Sequence, residues 1–293
     1  MELRQLRYLV MLAEERHFTR AAQRLQIAQP GLSQQIRKLE EEVRTPLVDR
    51  TTRHVALTDA GERVAARARS ILGELEAMQS ELDQMRGLRT GRVVAGVTPT
   101  PGPLGVATLL GRFRAANPEI DLVLREGFSA TLAEALRADS IDCAFTTWLT
   151  REQRRGLASQ EVASEPLVAV LPHGHPMARR KRLSLKDLAG EDFVLFSEGA
   201  TIRALVNRTS ERLGFRPHVS FEAGETSRIR SIVAEGLGVS VLPRSDALTP
   251  GPPVAVADLS DPDMVHRVFV VHRAGRRHGP AVRAFLELVD EAT

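Results

Sequence analysis

Between residues 29 and 57 the sequence places hydrogen-bonding and cationic side chains at spacings suited to a nucleic-acid surface. Pro30, Ser33, Gln34 and Arg37 recur at i, i+3, i+4 and i+7, which puts them on one stripe of a helix. Ser, Gln and Arg can pair with base edges and phosphates, and a DNA major groove admits a helix. An ordinary solvated helix face would carry the same residues. Arg50-Thr51-Thr52-Arg53-His54-Val55-Ala56-Leu57 follows, a β-type segment whose arginines suit a wing on the phosphate backbone, or a basic surface hairpin.

A second set of candidates consists of hydroxyls and glycines in turns after strand-like runs. Thr98-Pro99-Thr100-Pro101-Gly102, Thr146-Thr147-Trp148, Ser197-Glu198-Gly199-Ala200-Thr201 and Gly224-Glu225-Thr226-Ser227 leave strand-like runs, and Ser129 opens a helix. In open α/β sheets ligands settle outside the carboxyl ends of strands, and helix N-termini attract anions. Taken singly, each hydroxyl has helix capping as its plainer role; as a group flanking a cleft they favour ligand binding. Arg203, one turn beyond Thr201, can meet a ligand carboxylate or lie at the surface. Trp148, the only tryptophan, lines the same cleft or packs in a core.

Enzyme signatures are missing: there is no Walker A sequence, no Gly-x-Gly-x-x-Gly, no His-Glu-x-x-His and no Gly-x-Ser-x-Gly. His173-Gly174-His175-Pro176 has no third ligand at a clear spacing and reads as a loop. Cys143 is the single cysteine, so an internal disulfide is impossible, and its apolar setting predicts a buried strand thiol. No catalytic residue, metal or cofactor is expected.

The elements that must position these residues are legible along the 293-residue chain, whose 43% hydrophobic content suffices for two or three small cores. Residues 1–58 hold ten basic and seven acidic side chains and so carry the whole net charge of +3. Within them, Leu6, Leu9, Val10 and Ala13 mark one helix, Ala21, Ala22 and Leu25 a second, and Leu32, Ile36, Leu39 and Val43 a third. Gln26, Ile27 and Ala28 leave room only for a sharp turn, as in a helix-turn-helix, and Pro30 fits a helix's first turn.

Thr58 caps a long helix to Met85, in which Val64, Ala68, Ile71, Leu75, Met78, Leu82 and Met85 alternate steps of four and three. That is the seam of a two-stranded coiled coil, on a rod of roughly 40 Å, with Gly87 to Gly91 as hinge. Beyond it strands are predicted over 93–97, 121–126, 141–146, 167–171, 193–196, 219–222, 239–242 and 268–271. Helices fall near 103–116, 130–138, 201–213, 227–235 and 279–291, an α/β pattern with largely parallel sheets. The N-terminus lacks a signal-peptide stretch and no window nears the ~20 apolar residues of a membrane span, so a soluble cytoplasmic protein with no membrane partner is expected.

With these residues in place the chain resembles the LysR-type transcriptional regulators over essentially its whole length. The resemblance is carried by Phe18-Thr19-Arg20-Ala21-Ala22-Gln23-Arg24-Leu25, by Gln29 to Glu40, by Pro46-Leu47 with Arg50, and by Leu57-Thr58-Asp59-Ala60-Gly61. Collinear support comes from Phe113 with Asn117-Pro118, Glu126-Gly127, Leu171-Pro172 with His175-Pro176, and Val233 to Pro243. It implies a winged helix-turn-helix over 1–58, a dimerising linker helix and hinge over 59–91, and a two-lobed effector domain over 92–293, similar to periplasmic binding proteins. Lobe I would hold 92–161 and 267–293, and lobe II 162–266.

The same resemblance implies DNA contacts from Gln29, Pro30, Ser33 and Gln34 and effector contacts from Thr100, Ser129, Ser197 to Thr201 and Thr226. Together with the candidates read from the residues, the expected sets are Thr19, Gln29, Pro30, Ser33, Gln34, Arg37, Arg50 and Arg53 for DNA, and Thr98, Thr100, Ser129, Trp148, Ser197, Gly199, Thr201, Arg203 and Thr226 for the effector. The expected partners are double-stranded promoter DNA, a small-molecule effector for which an anion is suited, and further copies of the chain as dimer or tetramer. Four residues depart from the family pattern. Ala28 replaces a capping Ser, at a cost of about 1 kcal/mol; Arg44 replaces a Gly, implying a strained left-handed residue or a different helix end; Val48 replaces Phe; and Gln34 stands where Arg is frequent. A solute-binding protein of the same two-lobed shape is the alternative, but it would need export and no basic N-terminal module.

Overall fold

The computed structural model describes residues 1–49, 55–85, 90–147 and 149–293. Three helices open the chain: α1 (Leu3–Glu15), α2 (Phe18–Arg24) and α3 (Gln29–Val43). Their apolar stripes meet in one core of Leu9, Leu12, Ala21, Ala22, Leu32, Ile36 and Leu39, closed by Leu47, Val48 and Ala65. Each fully buried leucine or isoleucine there contributes ~2 kcal/mol. The turn between α2 and α3 is made by Gln26 in the left-handed region, φ 54°. Ala28 supplies no side-chain cap to α3, and Arg44 ends the helix at φ 52°, so the strained left-handed ending is the one adopted. That conformation costs a non-glycine residue ~1 kcal/mol. Glu40 offsets part of it by pinning the next segment: its Oε1 accepts from the backbone N–H of Leu47 at 2.9 Å and of Val48 at 3.0 Å.

Two short strands follow, β1 (Val48–Asp49) and β2 (Ala56–Leu57), paired antiparallel. Residues 50–54, the tip of the expected wing, lie outside the described residues. The Thr58 hydroxyl accepts from the N–H of Gly61 at 3.0 Å and donates to the carbonyl of Pro46 at 2.7 Å, so the predicted cap also ties the long helix α4 (Asp59–Met85) to the wing base. Gly61 is needed at this crossing, because a Cβ would lie 2.0 Å from the Leu47 carbonyl oxygen.

The heptad seam of α4 divides in two. Ala68 is buried and Val64 packs on the N-terminal core, whereas Ile71, Met78, Leu82 and Met85 are exposed. Of the expected hinge, 86–89 lies outside the described residues, and Gly91 already belongs to a strand.

The remainder is a mixed α/β assembly. Strands β3 (Gly91–Val97), β4 (Ile120–Glu126) and β5 (Cys143–Thr146) are parallel neighbours, with α5 (Val106–Ala116) and α6 (Ser129–Arg137) in the crossovers. Two long strands, β6 (Leu157–Pro172) and β12 (Val265–Arg273), run antiparallel to each other, and β12 is antiparallel to β5. Beyond them lie β7 (Arg182–Leu183), β8 (Asp192–Phe196), α7 (Thr201–Arg212), β9 (His218–Ala223), α8 (Thr226–Ala234), β10 (Ser240–Pro243), α9 (Arg244–Ala247) and β11 (Val254–Leu259); α10 (Pro280–Glu291) closes the chain.

The expectation of largely parallel sheets is therefore corrected. β6 pairs antiparallel with β10, β11 and β12, and only the β3–β4, β3–β5, β7–β11 and β8–β9 pairs are parallel among the described strands. The reason is topological: a strand that carries the chain between two halves and another that brings it back must run in opposite senses. β6 pairs with β12 up to Pro166, with β10 from Leu167 and with β11 from Val168, which marks the crossing. Separate cores lie on either side. One is built around Phe113, Phe145 and Phe285, the other around Phe193, Leu195, Val206 and Val241.

Candidate nucleic-acid interface and ligand cleft

The amphipathicity of α3 decides what its outer face can do. Leu32, Ile36 and Leu39 are consumed by the core, so the helical period turns Gln29, Pro30, Gln34 and Arg37 outward, where all four are exposed and Ser33 is half-buried. No hydrogen bond or ion pair to another described residue engages the side chains of Gln29, Ser33, Gln34 or Arg37. Thr19 is exposed at the start of α2, its backbone N–H donating at 3.2 Å to Nδ1 of His17, which caps that helix. Six of the eight expected DNA contacts thus lie in α2 and α3. Arg50 and Arg53 are outside the described residues.

Between the two α/β halves, a cavity of about 20 Å³ is lined by Thr98, Thr100, Ser129, Thr147, Gly199 and Thr201 with Pro99, Phe128, Phe196, Ala200, Ile202 and Gly224. Each polar member comes from a strand end or helix start: Thr98 and Thr100 follow β3, Thr147 follows β5, and Ser129 and Thr201 begin α6 and α7. The hydroxyls are not caps. The N-cap positions of α6 and α7 are Phe128 and Ala200, neither of which can cap. The hydroxyls instead form a ladder across the cleft, Ser129 to Thr147 at 3.0 Å and Thr147 to Thr201 at 2.6 Å. The Thr98 hydroxyl is buried at the cavity wall with no partner among the described residues, an arrangement that disfavours an empty apolar site. The space holds about one water, so a larger ligand must part the two halves.

Among the expected effector residues, Thr98, Thr100, Ser129, Gly199 and Thr201 come together here. Arg203 does not line the cavity: its Nη1 donates to the Phe196 carbonyl at 3.2 Å and pairs with Glu222 at 3.2 Å, on its own half. Thr226 donates to Asp246 at 3.2 Å, and Ser197 accepts at its carbonyl from the Ala200 N–H at 3.2 Å, so neither reaches the lining. Trp148 is outside the described residues. Thr147 figures only within the Thr146-Thr147-Trp148 turn and not among the expected effector contacts, and Phe128, Phe196 and Ile202 are not among them either.

A larger cleft, about 180 Å³, opens where α1 and α4 meet the first α/β half, between Val10, Arg69, Ala77, Asp139, Arg276 and His278 among others. Its organiser is Asp139, left-handed at φ 52° with a side chain 1% exposed. Its carboxylate accepts from Ser70 of α4, from Arg273, and from Arg276 at 3.2 Å. Burial and the neighbouring His272, Arg276 and Arg283 push His278 down to about 4. Cys143 is fully buried in β5 and its thiol is pushed far up by desolvation. His175 sits in a turn, its Nδ1 accepting from the Met177 N–H at 3.2 Å. Among the described residues no group of three metal-ligating side chains occurs, and no helix is long and apolar enough to cross a membrane.

A helix-turn-helix joined by a long helix to a two-lobed ligand-binding fold defines a class of bacterial transcription regulators. Residues 3–62 match the bacterial regulatory helix-turn-helix protein, lysR family, and residues 86–293 match the LysR substrate binding domain; the chain belongs to the LysR family. It is a DNA-binding transcriptional regulator with an effector-binding domain, of a family whose partners are promoter DNA, small-molecule effectors and further copies of the same chain.

Among its relatives, the uncharacterized HTH-type transcriptional regulator YnfL of Escherichia coli (strain K12) is 33% identical over 287 residues, covering 97% of this chain and 96% of that one. A hydrogen peroxide-inducible genes activator of Dickeya chrysanthemi is 32% identical over 243 residues, 83% of this chain and 79% of the relative. A full-length OxyR variant from Pseudomonas aeruginosa superposes with a TM-score of 0.78 at 28% identity, covering 100% of this chain and 94% of that chain.

Proposed function

We propose that this regulator reads promoter DNA with the outer face of α3 and is switched by a small molecule held between its lobes. Gln29, Ser33, Gln34 and Arg37 enter the major groove with Pro30 beside them, Thr19 contacts the backbone, and Arg50 and Arg53 hold phosphates. The observation that carries this reading is the stripe itself: polar side chains, without partners among the described residues, on a helix whose opposite face is wholly buried. We take the modules as 1–58, 59–91 and 92–293. The protein acts without catalysis and in the cytoplasm.

The effector is small and carries at most one negative charge. None of the described lining residues has an ionisable side chain, so a carboxylate would be held by the hydroxyls and by the N-termini of α6 and α7. Phe128, Phe196 and Ile202 suit an apolar remainder. Binding shifts the balance between two arrangements of a dimer, or of a tetramer built from two dimers, and so the spacing or bend of the DNA. A peroxide response like that in the name of the Dickeya relative is not carried over. The sequence has one cysteine, which is fully buried, so neither an internal disulfide nor an accessible thiolate is at hand.

Replacing Arg50 or Arg53 by Ala should weaken binding to all sequences and lower the salt slope by about 1 per lost phosphate contact. Replacing Ser33 or Gln34 should change sequence preference by about 1–3 kcal/mol at one base pair. Fluorescence anisotropy over a set of operator variants separates the two; uniform loss in every variant would remove base readout from α3.

A further inference from the structure

The crossing between the lobes carries a cluster of buried polar groups. His266 of β12 and Glu165 of β6 are directly opposed across the two antiparallel strands, next to the point where β6 changes partners. They are only 3% and 8% exposed. Burial of this kind is costly unless the groups are hydrogen-bonded, and their partners lie in opposite directions. The Nε2–H of His266 donates to the Thr100 carbonyl at 3.0 Å, in the loop of lobe I that lines the cleft. The Glu165 carboxylate accepts from the N–H of Ser245 at 2.6 Å and from its hydroxyl at 2.8 Å, in α9 of lobe II. The next residue of α9, Asp246, accepts from Thr226 at 3.2 Å, at the start of α8. Gly102 permits the close approach: at φ 68° it leaves no Cβ, which would otherwise stand 2.7 Å from Val268, 3.6 Å from His266 and 3.7 Å from Glu165.

A continuous line therefore runs from the loop of Thr100 through His266 and Glu165 to α9 and the start of α8. We propose that His266 and Glu165 are positioning residues that brace the hinge, holding the two lobes at the closed angle by fastening one strand pair to an element of each lobe. Opening the cleft tilts the lobes about this point and strains one of the two attachments, so the cluster sets the balance between open and closed forms. The brace rests on the proposed effector role of the cleft only for its consequence in regulation. Its own test needs neither ligand nor DNA, so the two can fail separately.

The full-length protein is labelled with nitroxides at Ala130→Cys on α6 and Ala204→Cys on α7, both exposed positions on helices that begin at the cleft; the buried Cys143 does not compete. With the labelled chain diluted by an excess of unlabelled protein, so that each oligomer carries one labelled chain, pulsed electron-electron double resonance then gives the distance distribution between its lobes. The otherwise native protein should give one narrow population. His266→Leu, which keeps bulk but removes the donor, and Glu165→Ala should each add a longer-distance population, with the open-to-closed ratio raised about fivefold for a lost hydrogen bond. His266→Gln, whose amide can still donate, should restore the narrow distribution. Ser245→Ala, in the half-buried α9, should give a smaller shift and does not disturb the core. Thermal midpoints are recorded on the same samples. A lowered midpoint with an unchanged distribution in His266→Leu would mean the cluster only stabilises the fold, and the proposal would be wrong. If neither histidine nor glutamate variants fold, an unaltered distribution in Ser245→Ala overturns it equally.

Discussion

Asp139 is the residue whose replacement should reveal how α4 is joined to lobe I. Its carboxylate is 1% exposed and is shared by Arg273, Arg276 and Ser70. Removing one partner of a buried ion pair costs about 3–5 kcal/mol. Here the cost is reduced because the Arg273 side chain is 35% exposed and because Asp142 remains 3.6 Å from Arg276, leaving about 2–3 kcal/mol. The backbone separates the two replacements: at φ 52° aspartate and alanine both carry ~1 kcal/mol of left-handed strain that a glycine does not. Asp139→Ala should therefore lower the thermal midpoint of the effector domain by about 5–10 °C, and Asp139→Gly by less. Circular dichroism on full-length protein measures both. A double-mutant cycle with Ser70→Ala should give a coupling of about 1 kcal/mol, because this carboxylate is the acceptor that lobe I offers to the hydroxyl. A midpoint of Asp139→Ala within a degree of the parent, or strict additivity with Ser70→Ala, would show that the node does not hold the joint.

Two further outcomes are expected. His278 titrates near 4 when folded but near its ordinary value when unfolded, so the unfolded state takes up the extra proton and stability falls as pH drops from about 6.5 to about 4. His266 is pushed down by burial and acts in the same sense; His278→Gln should flatten the urea-midpoint profile in that window, and an unchanged profile would contradict the assignment. Replacing Leu75 or Met78 with Glu should split the dimer, since the seam from Ile71 to Met85 is largely unpartnered within one chain. Sedimentation at unchanged mass would remove that helix from the interface.

Much of the site was legible before the fold. The stripe on α3 followed from residue spacing, because one helix face must be consumed by Leu32, Ile36 and Leu39. The turns carrying Thr98, Ser129 and Thr201 followed from strand-to-helix transitions. Arg203 could not be placed in this way, because sequence spacing cannot say whether a long side chain reaches across a cleft or back to Glu222. Thr147 was legible only as part of its turn, the first half of β6 was missed because Ser159-Gln160-Glu161 and Ser164-Glu165 interrupt its apolar residues, and β11 because its apolar run, Val254 to Ala257, is only four residues long between Pro253 and Asp258.

The sequence by itself determined the local elements and the family. Helical period, capping threonine, short turns and a long heptad helix are set by residues a few positions apart, and those interactions are written in order along the chain. Only the tertiary structure decided the antiparallel crossing of β6 and β12, the hydroxyl ladder from Ser129 to Thr201 and the fastening of Glu165 and His266 to opposite lobes. Each depends on groups distant in sequence, brought together by core burial that fixes direction and register; no local pattern encodes which of many buried polar groups will meet.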